Sequence, residues 1–348
     1  MALVLSGVSL VASADPELPD DPVAEAMADA VSSGSSVEIP ELTDEHSLSV
    51  ANPDGTVTLT LDRAAVRVRD GEEFGPVDTT VVEAGNRLEP AASVLEMDFS
   101  AGGDTALATV RDGDHAVTMH VPFVLPAPSV DGDQVTYPEV LPGVDLVVSV
   151  SAESFSEVLV VKNRQAASNP ELESLAFRIE GDGLDYVVAG DGSAEAVDAE
   201  GEAVFTSPSP VMWDSAPTSE EDIPDATSPA EVVAPIEVTE SALPSDEGLE
   251  VVLSPDQDAL TGADVVYPVF IDPSLGKDRN NFLVVRSTGS SYYNTNDVFR
   301  VGYCNWTGCS PAYKARSFFD FDVSQLKPKS DGSKATIAAA AVTVKRLF

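Results

Sequence analysis

Apolar and polar residues alternate along much of the chain, the two-residue period of a strand with one face on a core and the other in water. In "TVTLTL" Val57, Leu59 and Leu61 share one face and three threonines the other, and in "SVLEMDFS" Leu95, Met97 and Phe99 alternate with Glu96, Asp98 and Ser100. "HAVTMHVPFV" repeats the device with Val117, Met119, Val121 and Phe123 turned inward, and His120 falls on the polar face. These segments predict half-buried antiparallel strands. Seven Asp-Gly pairs, beginning at Asp54, Asp70, Asp112, Asp131, Asp182, Asp191 and Asp331, fall between them, and Asp-Gly is a preferred two-residue hairpin turn. The expected fold class is all-β, with antiparallel β-sandwich-like units, an acidic disordered leader and an acidic Pro/Ser-rich insertion.

Where the alternation breaks, the pattern divides the chain. Residues 1–14 hold an apolar run that ends in Ala12-Ser13-Ala14, a small-residue pattern suited to signal-peptidase cleavage before Asp15, although no Lys or Arg precedes the run. The run is too short to span a bilayer, which needs about 20 apolar residues, and no other stretch is long enough, so no integral membrane span is expected. Residues 15–46 are acidic and rich in Pro and Ser, with one short helical candidate at "VAEAMADAV", and are expected as a disordered leader. Strand rhythm then runs over 47–273, interrupted by a flexible acidic insertion near 214–230, and a second unit over 274–348 is still in that rhythm at "AAAAVTVKRLF", as in an incomplete module of a longer protein.

Composition sharpens the class. The 348 residues are 43% hydrophobic but only 6% aromatic, so valine and alanine carry the apolar load, and valine favours strands. Fifty-nine acidic against nineteen basic residues give a formal charge of −40, which repels nucleic acid and anionic lipid, so no nucleic-acid partner is expected. With the cleavable N-terminus, this points to a secreted, extracellular or cell-wall-associated protein.

Cys304 and Cys309 enclose four residues between strand-like "VFRVGY" and "SFFDFD", unlike the two-residue spacing of a redox motif. A zinc site needs about four ligands, and His46, His115 and His120 all lie far away in sequence. In an exported protein the pair is expected as a disulfide closing a small loop, worth roughly 2 kcal/mol in the chain-entropy model. No aspartate-rich stretch matches the calcium-loop pattern, so turn chemistry explains the Asp-Gly pairs. Asp320 and Asp322 lie about 7 Å apart on one face of a predicted strand, expected as its wet face, with calcium ligation the first functional alternative. No cofactor is expected, with calcium the possible exception.

No nucleophile elbow, P-loop or dinucleotide fingerprint occurs, so a non-enzymatic role is expected. One cluster stands out: Tyr292, Tyr293, Tyr303, Trp306 and Tyr313 fall within 22 residues of a chain with seven Tyr and two Trp. Exposed rings on a stapled loop would suit a cell-wall or extracellular polysaccharide, while buried rings would cover a small sandwich core.

In this order, "VRVRDGEEFGPVDTTVV", "NRLEPAAS", "LPGVDL", "FSEVLVVKN", "SPSPVMWDSA" and "YPVFIDPS" resemble the N-terminal region of large secreted actinobacterial proteins, where similar regions precede RHS/YD repeats, LamG-like jelly rolls or polymorphic-toxin cargo. From about residue 281, "SSYYNTNDVFRVGY", "ARSFFDFDVSQL" and "ATIAAAAVTVKRL" resemble the start of a DNRLRE-type β-sandwich, a module similar to carbohydrate-binding domains. The resemblance implies a β-rich export and presentation region whose partners are downstream domains of the same polypeptide, with a carbohydrate-binding module as the alternative.

Overall fold

A computed structural model describes residues 2–9, 22–62, 64–71, 73–181, 183–217, 225–226, 234–243 and 248–272, together with the strand segments 275–276, 282–286, 291–293, 302–304, 313–319 and 341–343. Among the described residues the ladders of the large sheets are antiparallel, and two compact units divide the chain: residues 1–77 with 318–348, and residues 78–317.

In the first unit a five-stranded sheet runs in the order Val37–Glu38, Ser47–Ala51, Thr56–Asp62, Ala2–Ser9, Ala341–Thr343. Thr56–Asp62 buries Val57, Leu59 and Leu61, the face its alternation marks. The apolar run read as a signal sequence lies here as the strand Ala2–Ser9, paired on one side with Thr56–Asp62 and on the other with Ala341–Thr343.

The expected disordered leader is corrected over its second part. Pro22–Ser33 is a helix whose Ala26 and Ala30 are buried against Ile39, Ala51 and Val57. Small alanines let the helix approach closely, and Ile39 fills the gap beside them. The following turn is held by side chains: Thr43 donates to the Ile39 carbonyl (3.1 Å), and the Ser49 hydroxyl donates to that of Leu42 (2.7 Å). The boundary expected at residue 47 therefore falls inside a folded unit, since Ser47–Ala51 pairs with Val37–Glu38.

The second unit is a sandwich. Eight strands follow the order Glu237–Ala242, Gly248–Ser254, Leu175–Glu180, His115–His120, Ala106–Asp112, Glu96–Ser100, Arg87–Ala92, Asp78–Ala84. The facing eleven-stranded sheet has the main path Ser129–Asp131, Gln134–Leu141, Val144–Val150, Ser154–Val161, Leu275–Gly276, Ala203–Ser207, Ala194–Val197, Asp185–Val188. Inward residues of both sheets form one continuous core, from Met97, Phe99, Val117 and Phe177 on one side to Tyr137, Leu146, Phe155 and Leu159 on the other. Phe99 meets Phe155 edge to face, with ring centroids 5.4 Å apart, and the buried Tyr137 hydroxyl crosses the gap to donate to the Ser100 carbonyl at 2.7 Å. At one end the sandwich closes through a hydrogen bond from the Val81 amide to the Gly132 carbonyl (2.8 Å). Leu275–Gly276 pairs with Ser154–Val161, so a module boundary at 274 would cut this sheet.

Two details depart from the expected pattern. In the hairpins registered as Asp112 with His115 and Asp131 with Gln134, the two-residue loops are Gly113-Asp114 and Gly132-Asp133. Aspartate thus flanks the turn, and glycine takes the first central position at φ 59° and 61°, the requirement of a type II′ turn. The eleven-stranded sheet is also apolar on its outer face, where Trp213 stacks on Phe270 (5.4 Å) beside Val158. The acidic insertion returns to this face: the Trp213 indole donates to the Asp225 carbonyl (3.0 Å), and Ala226 packs against the cluster. Residues 218–224 and 227–233 of that insertion lie outside the described residues.

Candidate functional site

Three arrangements in the second unit combine polar chemistry or open space with defined geometry. The first covers the outer face of the eight-stranded sheet. Asp98 alternates with the core residues Met97 and Phe99 and is 10% exposed at its side chain. It receives Arg87 Nε at 2.5 Å and Arg111 Nη1 at 2.6 Å from the strands on either side. Further along, Glu180 accepts Arg178 Nε (2.7 Å) and faces His120 Nε2 (3.4 Å). Burial holds the His120 imidazole below the usual histidine value, against the opposing pull of Glu180. The ion pairs are opposite in charge, and those of Asp98 join three neighbouring strands, which is structural use of the polar face.

The second is a clamp on a bulge in the strand Gln134–Leu141, within the stretch "YPEVLPGVDL". Glu139 adopts φ 53°, and its carboxylate accepts the Gly143 amide (2.8 Å) and Lys162 Nζ (2.7 Å), while its own amide donates to Asp145 (2.8 Å). Lys162 also reaches Asp145 at 2.6 Å. Hydrogen bonding to Asp145 and then Glu139 raises the Lys162 ammonium, and the bond from Lys162 lowers the Glu139 carboxyl.

The third is a cavity of about 60 Å³ between the sheets, at the end away from the Val81–Gly132 closure. Val117, Met119, Phe177, Ile179, Leu249, Val251 and Leu253 line it from the eight-stranded sheet, and Tyr186, Val188, Ala194, Ala196 and Phe205 from the other. Thr206, Ser207 and Pro210 complete its wall. No sequence feature marks it, because its residues come from six strands, each of which reads as ordinary core.

The residues singled out from sequence fall elsewhere. A four-stranded sheet has the order Ser291–Tyr293, Phe282–Arg286, Tyr313–Phe319, Gly302–Cys304. It carries Tyr292 and Tyr293 on one edge strand and Tyr303 on the other, with Cys304 in register with Tyr313. Trp306, Cys309, Asp320 and Asp322 lie outside the described residues. Among the described residues no group of three or more His, Cys, Asp or Glu is placed to hold a metal ion, and no helix is long and apolar enough to cross a membrane.

No family model matches the chain, and no solved structure matches it. Three curated proteins do: the tRNA(Glu)-specific nuclease WapA of Bacillus subtilis subsp. natto, 28% identical over 203 residues, and the tRNA3(Ser)-specific nuclease WapA of Bacillus spizizenii and the tRNA nuclease WapA of Bacillus subtilis strain 168, each 28% identical over 202 residues. The match covers 54% of this chain, and the chain spans 8% of the length of these relatives. Two expectations are thereby corrected, the non-enzymatic role and the exclusion of nucleic acid, because the proteins it resembles are named for cleaving tRNA. Net charge governs non-specific attraction and does not by itself exclude a local nucleic-acid site, so the charge could not carry that exclusion. The likeness agrees with a region of a polymorphic-toxin-like protein.

Proposed function

We propose that the chain is the β-rich presentation region of a large exported toxin of the tRNA-nuclease type. The observation that carries this reading is the 28% identity over 203 residues to tRNA nucleases of which the chain spans 8%. The sandwich supports it, since apolar strands around one core give a rigid body. So does the excess of acidic residues, which keeps an exported surface soluble. By the same reading, tRNA would be the substrate of the protein to which this region belongs.

The test follows this region and the activity together. An antibody raised against residues 78–317 should detect the protein in the culture medium or wall fraction of the producing cell. Protein purified from that fraction should cleave tRNA. Confinement to the cytosol would remove the export half of the proposal, and purified full-length protein that leaves tRNA intact would remove the other.

A further inference from the structure

We propose that the sandwich binds an extended basic peptide at the edge strand Asp185–Val188, with one aliphatic side chain of that peptide anchored in the cavity between the sheets. Asp185–Val188 is terminal in its sheet among the described residues. The Ala189 amide donates to the Ser193 carbonyl (2.8 Å) across the hairpin, and in an antiparallel ladder alternate residues bond to opposite sides. The N–H and C=O of Val188 therefore point away from the hairpin, to the open edge. The side chain of Val188 lines the cavity. A residue directly opposite Val188 on an added strand would project from the same face, towards that cavity. Backbone pairing and side-chain anchoring thus coincide at one position.

Size and charge define the guest. At about 60 Å³ the cavity is several times what one water needs, and less than half of the roughly 150 Å³ that accepts benzene. Its apolar walls would give water few partners, so a branched aliphatic side chain fits better than a solvent cluster or a free aromatic ligand. The chain carries −40, Glu195 beside the cavity is exposed, and Asp185 at the strand's start is exposed. On the outer face Val187 is 54% exposed, a surface for the methylene stem of a lysine. The edge carries none of the Lys or Pro residues that usually blunt strand addition. An alternating pattern, aliphatic inward and basic outward, satisfies all these features. This goes beyond the proposed nuclease function and stands independently of it.

The experiment is fluorescence anisotropy of a labelled peptide of alternating lysine and leucine titrated into the full chain, beside an alternating lysine–alanine peptide of equal length and charge. The leucine peptide should bind at least about tenfold more tightly. Ala196→Leu, which fills the cavity from the neighbouring strand, and Val188→Pro, which removes the outward amide while keeping an apolar ring, should each weaken it by a similar factor. Circular dichroism and the melting midpoint identify the variants that fold, and if one does not, the other decides. Equal binding of the two peptides would reduce the effect to charge attraction and overturn the proposal. So would undetectable binding of the leucine peptide, or parental affinity in a folded variant.

Discussion

Glu139 shows how a single residue is held against its own preference. Among the described residues it is the one non-glycine at positive φ, a conformation that costs an L-residue about 1–2 kcal/mol. It persists because its carboxylate and amide are engaged at once, by Gly143, Lys162 and Asp145. Lys162 lowers the Glu139 carboxyl in the folded state, so the stabilisation is fully present above the unfolded glutamate value of about 4.3 and is lost as pH falls through the depressed folded value. Glu139→Gln should therefore lower the urea midpoint at pH 7, and the gap to the parent should close towards pH 3. A gap independent of pH would mean that the clamp acts through shape and not charge.

At the level of elements, the two sheets are one cooperative body only if their cross-contacts carry weight, and Phe99, fully buried against Phe155, is the place to ask. Phe99→Ala should cost about 3–5 kcal/mol by chemical denaturation. Tyr137→Phe, which leaves the Ser100 carbonyl without its donor, should cost about 0.5–2 kcal/mol. The double variant should fall short of the sum, because Ser100 adjoins Phe99 in the same strand. A loss below about 1 kcal/mol for Phe99→Ala would mean that the sheets are not packed through this contact. These strands were legible because alternation records which face is buried, and Val57, Leu59, Met97, Phe99, Val117 and Met119 all lie where the pattern puts them. The burial of the helix Pro22–Ser33 was not, since Ala26 and Ala30 carry little hydrophobic signal and are buried only once Ile39 and Val57 close around them. The cavity was least legible of all: it is a property of how two sheets separate, and local sequence encodes faces, not gaps.

For the whole molecule the governing fact is charge. Fifty-nine carboxylates face nineteen Lys and Arg, and several of the basic side chains are already committed: Arg87 and Arg111 to Asp98, Arg178 to Glu180, Lys162 to Glu139 and Asp145. The acidic excess remains as self-repulsion, which unfolding relieves by spreading the charges apart. Salt shortens the reach of that repulsion, from a Debye length of about 30 Å at 0.01 M to about 8 Å at 0.15 M. The melting midpoint should therefore rise with sodium chloride, with most of the gain reached by about 0.15 M. Choline chloride should trace the same curve, because screening depends on ionic strength and not on the cation. Calcium at matched ionic strength separates this account from the alternative raised by Asp320 and Asp322. If repulsion alone is at work, calcium adds no saturable step of its own. A saturable rise seen with calcium only, and lost on Asp320→Asn with Asp322→Asn, would assign a cation to that pair of aspartates and make the acidic excess in part a binding site.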